Sequence, residues 1–156
     1  MNVNITPVAT GDAWIGYGVR SSVSVISELI TNANVELVMT AYLLTNHEIV
    51  KEIKEALTRG VSVAIYLYDD GKKITETDAV YSVFKLKQEF PYLKINIVKD
   101  KVLHAKILVA DGKKVLVGSA NLTHPAMTSN YEMGFLIEDA GVAGQVLELI
   151  KKMGAE

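Results

Sequence analysis

Apolar residues recur along the chain with two spacings, one typical of helices and the other typical of buried strands. Spacings of three and four residues predict helices over residues 21–33, 46–59, 77–90 and 141–153. Nearly continuous apolar runs at 35–43 and 61–68 predict strands that are buried on both faces. Further strands are predicted at 3–8, 93–98, 103–110, 115–118 and 131–137.

The order of these elements predicts the fold class. Strands alternate with helices through the first part of the chain, and a run of strands then precedes the closing helix. This order is typical of an α/β domain in which a mixed β-sheet is sandwiched between helix layers. A length of 156 residues fits one domain, so we expect a single domain over 1–156.

Charge and cysteine content narrow the functional classes. A net charge of −2 excludes a globally basic nucleic-acid-binding protein, so any site for a polyanion must be a local patch. The chain has no cysteine, which excludes disulfides and thiolate metal sites and fits a reducing compartment. No segment resembles a secretory signal or a membrane span of ~20 residues. We therefore expect a cytoplasmic protein.

A predicted hairpin gathers four polar side chains. Asp111-Gly112 lies between two apolar runs, which is a strong signal for a tight turn. With a turn of two or four residues, Lys106 falls opposite Ser119 and His104 falls opposite Asn121. Residues two apart on a strand share a face, and so do cross-strand partners. The sequence therefore predicts one polar cluster, with Leu108 and Val117 following on the same face towards the turn.

This cluster has the chemistry to act on a phosphodiester. Lys106, Ser119 and Asn121 can donate hydrogen bonds to phosphoryl oxygens, and the lysine adds positive charge. A neutral imidazole, here that of His104, is a competent nucleophile that needs no metal. Glu132 lies on the following strand, and a carboxylate bonded to one imidazole nitrogen would leave the other free to attack. We therefore predict His104, Lys106 and Glu132 as the catalytic residues.

The same residues resemble the HKD signature of the phospholipase D superfamily. His104-x-Lys106 is followed at fixed spacing by Asp111 and then by Gly118-Ser119-x-Asn121. The resemblance extends over about residues 22–137. It implies attack by histidine, a phosphohistidine intermediate, a second histidine as the acid, and no cofactor or metal. Because this chain has one motif where most members have two, it resembles the single-motif subgroup, which implies a homodimer with one shared site.

Other residues allow more than one interpretation. Asp111 and Gly118 belong to the signature, but we interpret both as structural, since Asp-Gly alone explains a turn. Lys101 is a candidate for steering an anionic substrate. Trp14, Ile15 and Tyr17 are expected to be buried against the sheet or in a dimer interface, with base stacking or lipid contact as alternatives. His47 and His124 are interpreted as incidental.

The sequence supports three alternative hypotheses about the function. A nuclease that acts on DNA or RNA is favoured, because the small single-motif relatives include bacterial endonucleases. A phospholipase D or phosphatidyl transferase would use the same chemistry on membrane lipids. A non-catalytic module could keep the motif as a phosphate pocket for dimerisation, although the intact motif argues against this. Partner subunits or further domains could also supply the specificity.

Overall fold

The computed structural model describes residues 2–72 and 75–153. Five helices are found in this part of the chain: α1 Ser22–Asn32, α2 His47–Thr58, α3 Asp78–Glu89, α4 His124–Thr128 and α5 Ala140–Lys151. The strands are β1 Asn4–Thr10, β2 Arg20–Ser21, β3 Glu36–Ala41, β4 Ser62–Tyr68, β5 Lys94–Val98, β6 Ile107–Ala110, β7 Lys114–Gly118 and β8 Glu132–Glu138.

The strands form one mixed sheet in the order β2-β1-β8-β7-β6-β3-β4-β5. β3, β4 and β5 are parallel to one another, whereas β6, β7 and β8 pair with their neighbours in antiparallel fashion. Helices α1 to α3 pack over one face around Leu37, Ile53 and Ile65. Helix α5 packs over the other face against residues such as Val38 and Val109. The predicted α/β fold, with a mixed sheet between helix layers, is confirmed.

The predicted register of the β6–β7 hairpin is wrong by one residue. Asp111 and Gly112 both adopt positive φ, +55° and +62°, and together with Lys113 they form a three-residue turn. Ala110 therefore pairs with Lys114, and continuing this register places Lys106 opposite Gly118 rather than Ser119. The N–H of Gly118 donates to the C=O of Lys106 at 3.4 Å.

The same shift changes the pairs nearer the turn. Leu108 pairs with Leu116 and packs in the core, whereas Val117 pairs with Ile107 on the opposite face. The predicted strand 103–110 is also too long, because β6 begins at Ile107. His104 therefore lies before the strand and has no ladder partner at Asn121.

Asp111 anchors the hairpin turn to the start of β3. Its carboxylate accepts hydrogen bonds from the backbone N–H groups of Asn34, Val35 and Glu36 at 2.8–3.2 Å. Burial alone would raise the pKa of this carboxyl group, but these three N–H groups, with Lys113 nearby, hold its pKa below the usual value. These contacts support the structural interpretation of Asp111.

Replacing Asp111 with asparagine should lower the free energy of unfolding by about 1–2 kcal/mol at neutral pH, a figure that allows for its partial exposure. Because the pKa is lowered in the folded protein, this contribution is complete above the unfolded-state pKa of about 3.9. It is lost as the pH falls through the folded-state value. Urea unfolding of wild type and Asp111→Asn across this range tests the effect, with exposed Asp100→Asn as the control. A stability difference that does not change with pH would contradict the assignment.

Part of the sheet face on the α5 side carries exposed apolar side chains. Ile5, Val117, Met133 and Phe135 are 57%, 38%, 48% and 44% exposed. The pairing of β1, β8 and β7 places all four on this one face, where Pro7 pairs with Phe135 and is also exposed. We call these five residues the open sheet face.

None of the helices in the described ranges is long and apolar enough to cross a membrane.

Candidate active site

Four neighbouring strands have an end at the same edge of the sheet. β3 and β7 end there, whereas β6 and β8 run in the opposite direction and begin there. The segment of residues 104–106, which we call the HxK segment, therefore lies beside the residues that follow β7 and the first residue of β8. Asp111 lies at the far end of β6, so it is remote from this edge.

His104 and Lys106 lie side by side within the HxK segment. The Lys106 Nζ atom is 3.4 Å from each ring nitrogen of His104, and it donates to the His104 carbonyl oxygen at 2.9 Å. His104 is exposed, whereas Lys106 is half-buried. Burial lowers the pKa of Lys106, while the nearby Glu132 carboxylate acts in the opposite direction. The arrangement places a cation next to an accessible imidazole.

Two tyrosines, which the sequence did not single out, form a wall beside His104. The Tyr42 ring meets the imidazole edge-on, with 5.3 Å between centroids, and lies 5.9 Å from Lys106 Nζ. Tyr68 stacks on Tyr42 at 5.4 Å with an interplanar angle of 12°. The only signal in the sequence was an aromatic residue at the end of each buried strand. Pairing the two rings requires knowing that β3 and β4 are parallel neighbours.

Glu132 is held by polar groups on both of its oxygens. Ser119 Oγ donates to Oε1 at 2.6 Å, and Asn130 Nδ2 donates to Oε2 at 3.0 Å. The N–H of Met133 donates to Ser119 Oγ at 3.1 Å, which fixes the hydroxyl as a donor to the carboxylate. Among the described residues Glu132 makes no hydrogen bond to His104, so its predicted role as the orienting partner remains a prediction.

A pocket opens beside Lys106 and Ser119. Tyr42, Lys106, Ser119 and Asn121 line its polar part, and the core side chains Met39, Leu108 and Leu116 line its apolar part. Within the described part of the chain, no group donates a hydrogen bond to the buried Oδ1 atom of Asn121. Because Oδ1 only accepts hydrogen bonds, a contact with a phosphoryl oxygen would have to come from the Asn121 Nδ2 group.

Gly118 brings β7 and β8 close together where the pocket begins. A Cβ atom at Gly118 would lie 2.5 Å from the Cα atom of Gly134 and 2.6 Å from the Met133 carbonyl oxygen. Any side chain would therefore push apart the two strands that carry Ser119 and Glu132. This close approach supports the structural interpretation of Gly118.

The remaining candidates lie around this edge. Lys101 is exposed a few residues before the HxK segment, and its steering role stays a prediction. Trp14 packs on Tyr131 with 4.8 Å between centroids, and the Trp14 and Tyr17 side chains remain 36% and 80% exposed. Within this single chain these two aromatic residues are therefore not buried against the sheet.

The other histidines and the acidic residues do not form a metal site in the described ranges. His47 and His124 are the first residues of α2 and α4, and both are exposed. No group of three or more histidine or acidic side chains there could hold a metal ion.

Comparisons with known proteins identify the family of this chain. A family model described as "Cardiolipin synthase, PLD-like domain" matches residues 26–153. The chain is 27% identical to the DISARM protein DrmC of Bacillus paralicheniformis, over 92% of this chain and 62% of DrmC. It is 32% identical to a phospholipase D of Rickettsia bellii, over 79% of this chain and 59% of that protein. The chain thus spans about 60% of the length of these two relatives.

A solved structure shares the whole fold. The crystal structure of Nuc from Salmonella typhimurium, a phospholipase D family member, superposes with a TM-score of 0.81 at 21% identity. The match covers 97% of this chain and 94% of Nuc. At this identity the superposition establishes the fold.

Proposed function

The chain belongs to the phospholipase D-like family of phosphodiesterases, and we propose that it cleaves phosphodiesters, preferably in nucleic acid, without a metal and as a homodimer. The observation that carries this proposal is the accessible imidazole of His104 beside Lys106, which lines a pocket together with Ser119 and Asn121. A nucleophile, a cation and neutral donors are the groups that phosphoryl transfer requires.

The reaction proceeds in two balanced steps. In the first step, a His104 ring nitrogen attacks phosphorus, a P–N bond forms, and the P–O bond to the leaving group breaks. Lys106 and the Asn121 amide stabilise the charge on the phosphoryl oxygens, and Ser119 joins them when its hydroxyl turns from Glu132 to the phosphate. The departing oxygen takes a proton from a second imidazole. In the second step, that imidazole accepts a proton from water, whose oxygen attacks phosphorus and breaks the P–N bond.

A second copy of the chain would supply the second imidazole. The described residues contain one HxK segment, whereas the reaction uses a nucleophile and an acid. The open sheet face supports this proposal, because an isologous dimer could cover its apolar side chains. Met133 belongs to that face and directly follows Glu132, and its carbonyl oxygen accepts from the Ser119 N–H at 3.1 Å. The open sheet face therefore reaches the end of the sheet at which the site lies.

Nucleic acid is the favoured substrate, and membrane lipid is the alternative. The match to 94% of the Nuc chain, together with the single HxK segment, supports the small nuclease-like subgroup. The names of the Rickettsia bellii relative and of the family model favour a lipid phosphodiester instead. A non-catalytic phosphate-binding module would keep the pocket but would turn over neither substrate.

The function can be tested by incubating the protein with single-stranded DNA, duplex DNA, RNA and phosphatidylcholine vesicles, all in EDTA. We expect cleavage of at least one nucleic acid, because Lys106 and the neutral donors replace a metal in neutralising the phosphate. Cleavage of the vesicles alone would establish the lipid alternative. Binding without cleavage of any substrate would support the non-catalytic module. Activity that EDTA abolishes and Mg²⁺ or Zn²⁺ restores would contradict the mechanism.

Tyr42 should contribute through its ring rather than its hydroxyl. Tyr42→Leu removes the edge-on contact that limits rotation of the His104 imidazole, and we expect kcat to fall about 10-fold. Tyr42→Phe keeps the ring and should retain activity within about 3-fold. Steady-state kinetics on the substrate identified above measures both variants. Equal kcat values for wild type and Tyr42→Leu would show that the tyrosine wall does not position the nucleophile.

A further inference from the structure

The HxK segment is not held by the regular ladder between β3 and β6. The last regular pair joins Met39 and Leu108, so the next pair would join Thr40 and Ile107. At this position the side chain of Thr40 makes hydrogen bonds to the backbone on either side of Lys106. Its Oγ1 atom accepts from the backbone N–H of Ile107 at 2.9 Å and donates to the backbone C=O of Ala105 at 2.7 Å.

Both bonded peptide groups flank Lys106. One Thr40 hydroxyl therefore fixes the backbone on either side of the lysine, using its donor and one of its acceptor sites. Thr40 is only 2% exposed, so water cannot readily replace it. Leu103, 4% exposed, anchors the chain just before the segment by packing in the core under α5. With Leu103 and Ile107 packed on the α5 side of the sheet, Lys106 projects into the pocket from the opposite side, and His104 lies beside it.

We propose that Thr40 is a positioning residue for the phosphodiester chemistry, and this inference rests on the function proposed above. The hydroxyl does not reach the HxK side chains, so it acts through the backbone that carries them. Without the hydroxyl, the peptide groups of Ala105 and Ile107 lose a buried partner, and the backbone at Lys106 is free to shift. A displacement of about 1 Å between reacting groups can cost about 100-fold in rate.

Two substitutions separate the hydroxyl from the shape of the side chain. Thr40→Val keeps the shape and removes both hydrogen bonds, so we expect kcat to fall about 30- to 100-fold with a smaller change in KM. Thr40→Ser keeps the hydroxyl and should retain kcat within about 3-fold. Ser27→Ala is the matched control. It removes a half-buried hydroxyl bonded to Glu52 between α1 and α2, and it should lower stability without changing kcat.

Amide hydrogen exchange provides a readout that does not depend on turnover. The Ile107 amide should be protected in wild type and Thr40→Ser and should exchange faster in Thr40→Val, whereas the Val109 amide within β6 should not change. If Thr40→Val does not fold, Thr40→Cys, whose thiol is a weak hydrogen-bonding group, should show intermediate kcat and exchange.

The outcomes distinguish this inference from the function on which it rests. A wild-type protein that cleaves no phosphodiester would refute the proposed function and the inference with it. Active wild type with equally active, folded Thr40→Val or Thr40→Cys would refute the inference alone. Thr40→Ser as impaired as Thr40→Val would also overturn it, because packing of the methyl group would then explain the loss.

Discussion

His104→Ala should lose phosphodiesterase activity by at least about 10⁴-fold, because the substitution removes the nucleophile and, in a dimer, the acid as well. The variant should keep its fold, since the His104 side chain is exposed and lies outside the strands. Initial rates on the nucleic acid or lipid identified by the substrate panel measure the effect, and circular dichroism checks the fold.

The other two histidines provide matched controls for this loss. His47→Ala and His124→Ala also remove exposed imidazoles, each at the first residue of a helix. Both variants should keep activity within about 3-fold, because neither imidazole belongs to the site. If His104→Ala remained as active as these controls, the proposed nucleophile would be wrong. If His124→Ala were inactive, the His124 imidazole at the start of α4 would have a role that the proposed mechanism does not include.

Mixed dimers should reveal whether two subunits share one site. When wild-type and His104→Ala chains are co-expressed in varied ratios, activity on an unactivated phosphodiester should follow the square of the wild-type fraction. A heterodimer then has a single imidazole per shared site and lacks either the nucleophile or the acid. Subunits that work independently would instead give activity in direct proportion to the wild-type fraction.

Two further measurements make the mixing experiment specific. An activated substrate with a good leaving group needs little acid catalysis, so the heterodimer could form the histidine adduct from it while failing on the unactivated one. Mixing wild type with His124→Ala should cause no loss at any ratio. Sedimentation at the assay concentration must show dimers, and an active monomer there would contradict the shared site.

Patterns along the chain predicted most of the fold because the apolar signal is strong where strands are buried on both faces. The runs at β3 and β4 could be identified at once, and the strand that follows α3 could be placed from its position in the order of elements. The short helix α4, with five residues, was missed because so short a segment has no periodicity to detect. The two-residue strand β2 was missed for the same reason.

A candidate site could be predicted from the sequence, but its geometry could not. The spacing of His104, Lys106, Ser119 and Asn121 predicted phosphodiester chemistry. Lys106, Ser119 and Asn121 line one pocket, and His104 lies beside Lys106. The register that was used to bring them together was wrong, because it depended on the turn. The turn has three residues because Lys113 belongs to it, whereas a two-residue Asp-Gly turn would also have given Asp111 and Gly112 a positive φ.

The contacts that support the site could not be predicted from a local sequence pattern either. Thr40 lies in an apolar run, and nothing in that run indicated the hydrogen bonds of its hydroxyl. The bonded groups belong to residues 65 and 67 positions later in the chain. The stacking of Tyr42 on Tyr68 depends on the parallel pairing of two strands that a helix separates in sequence. Such contacts follow from tertiary packing and not from the spacing of neighbouring residues.

The most direct test of the account is to look for the covalent intermediate. Wild-type protein is mixed with excess labelled substrate, quenched in denaturant during turnover, and analysed by mass spectrometry under conditions that preserve an acid-labile P–N bond. A substrate fragment attached through phosphorus to His104 should form as fast as turnover requires and should be absent from His104→Ala. Turnover with no adduct on His104, or with the adduct on another residue, would contradict the proposed mechanism.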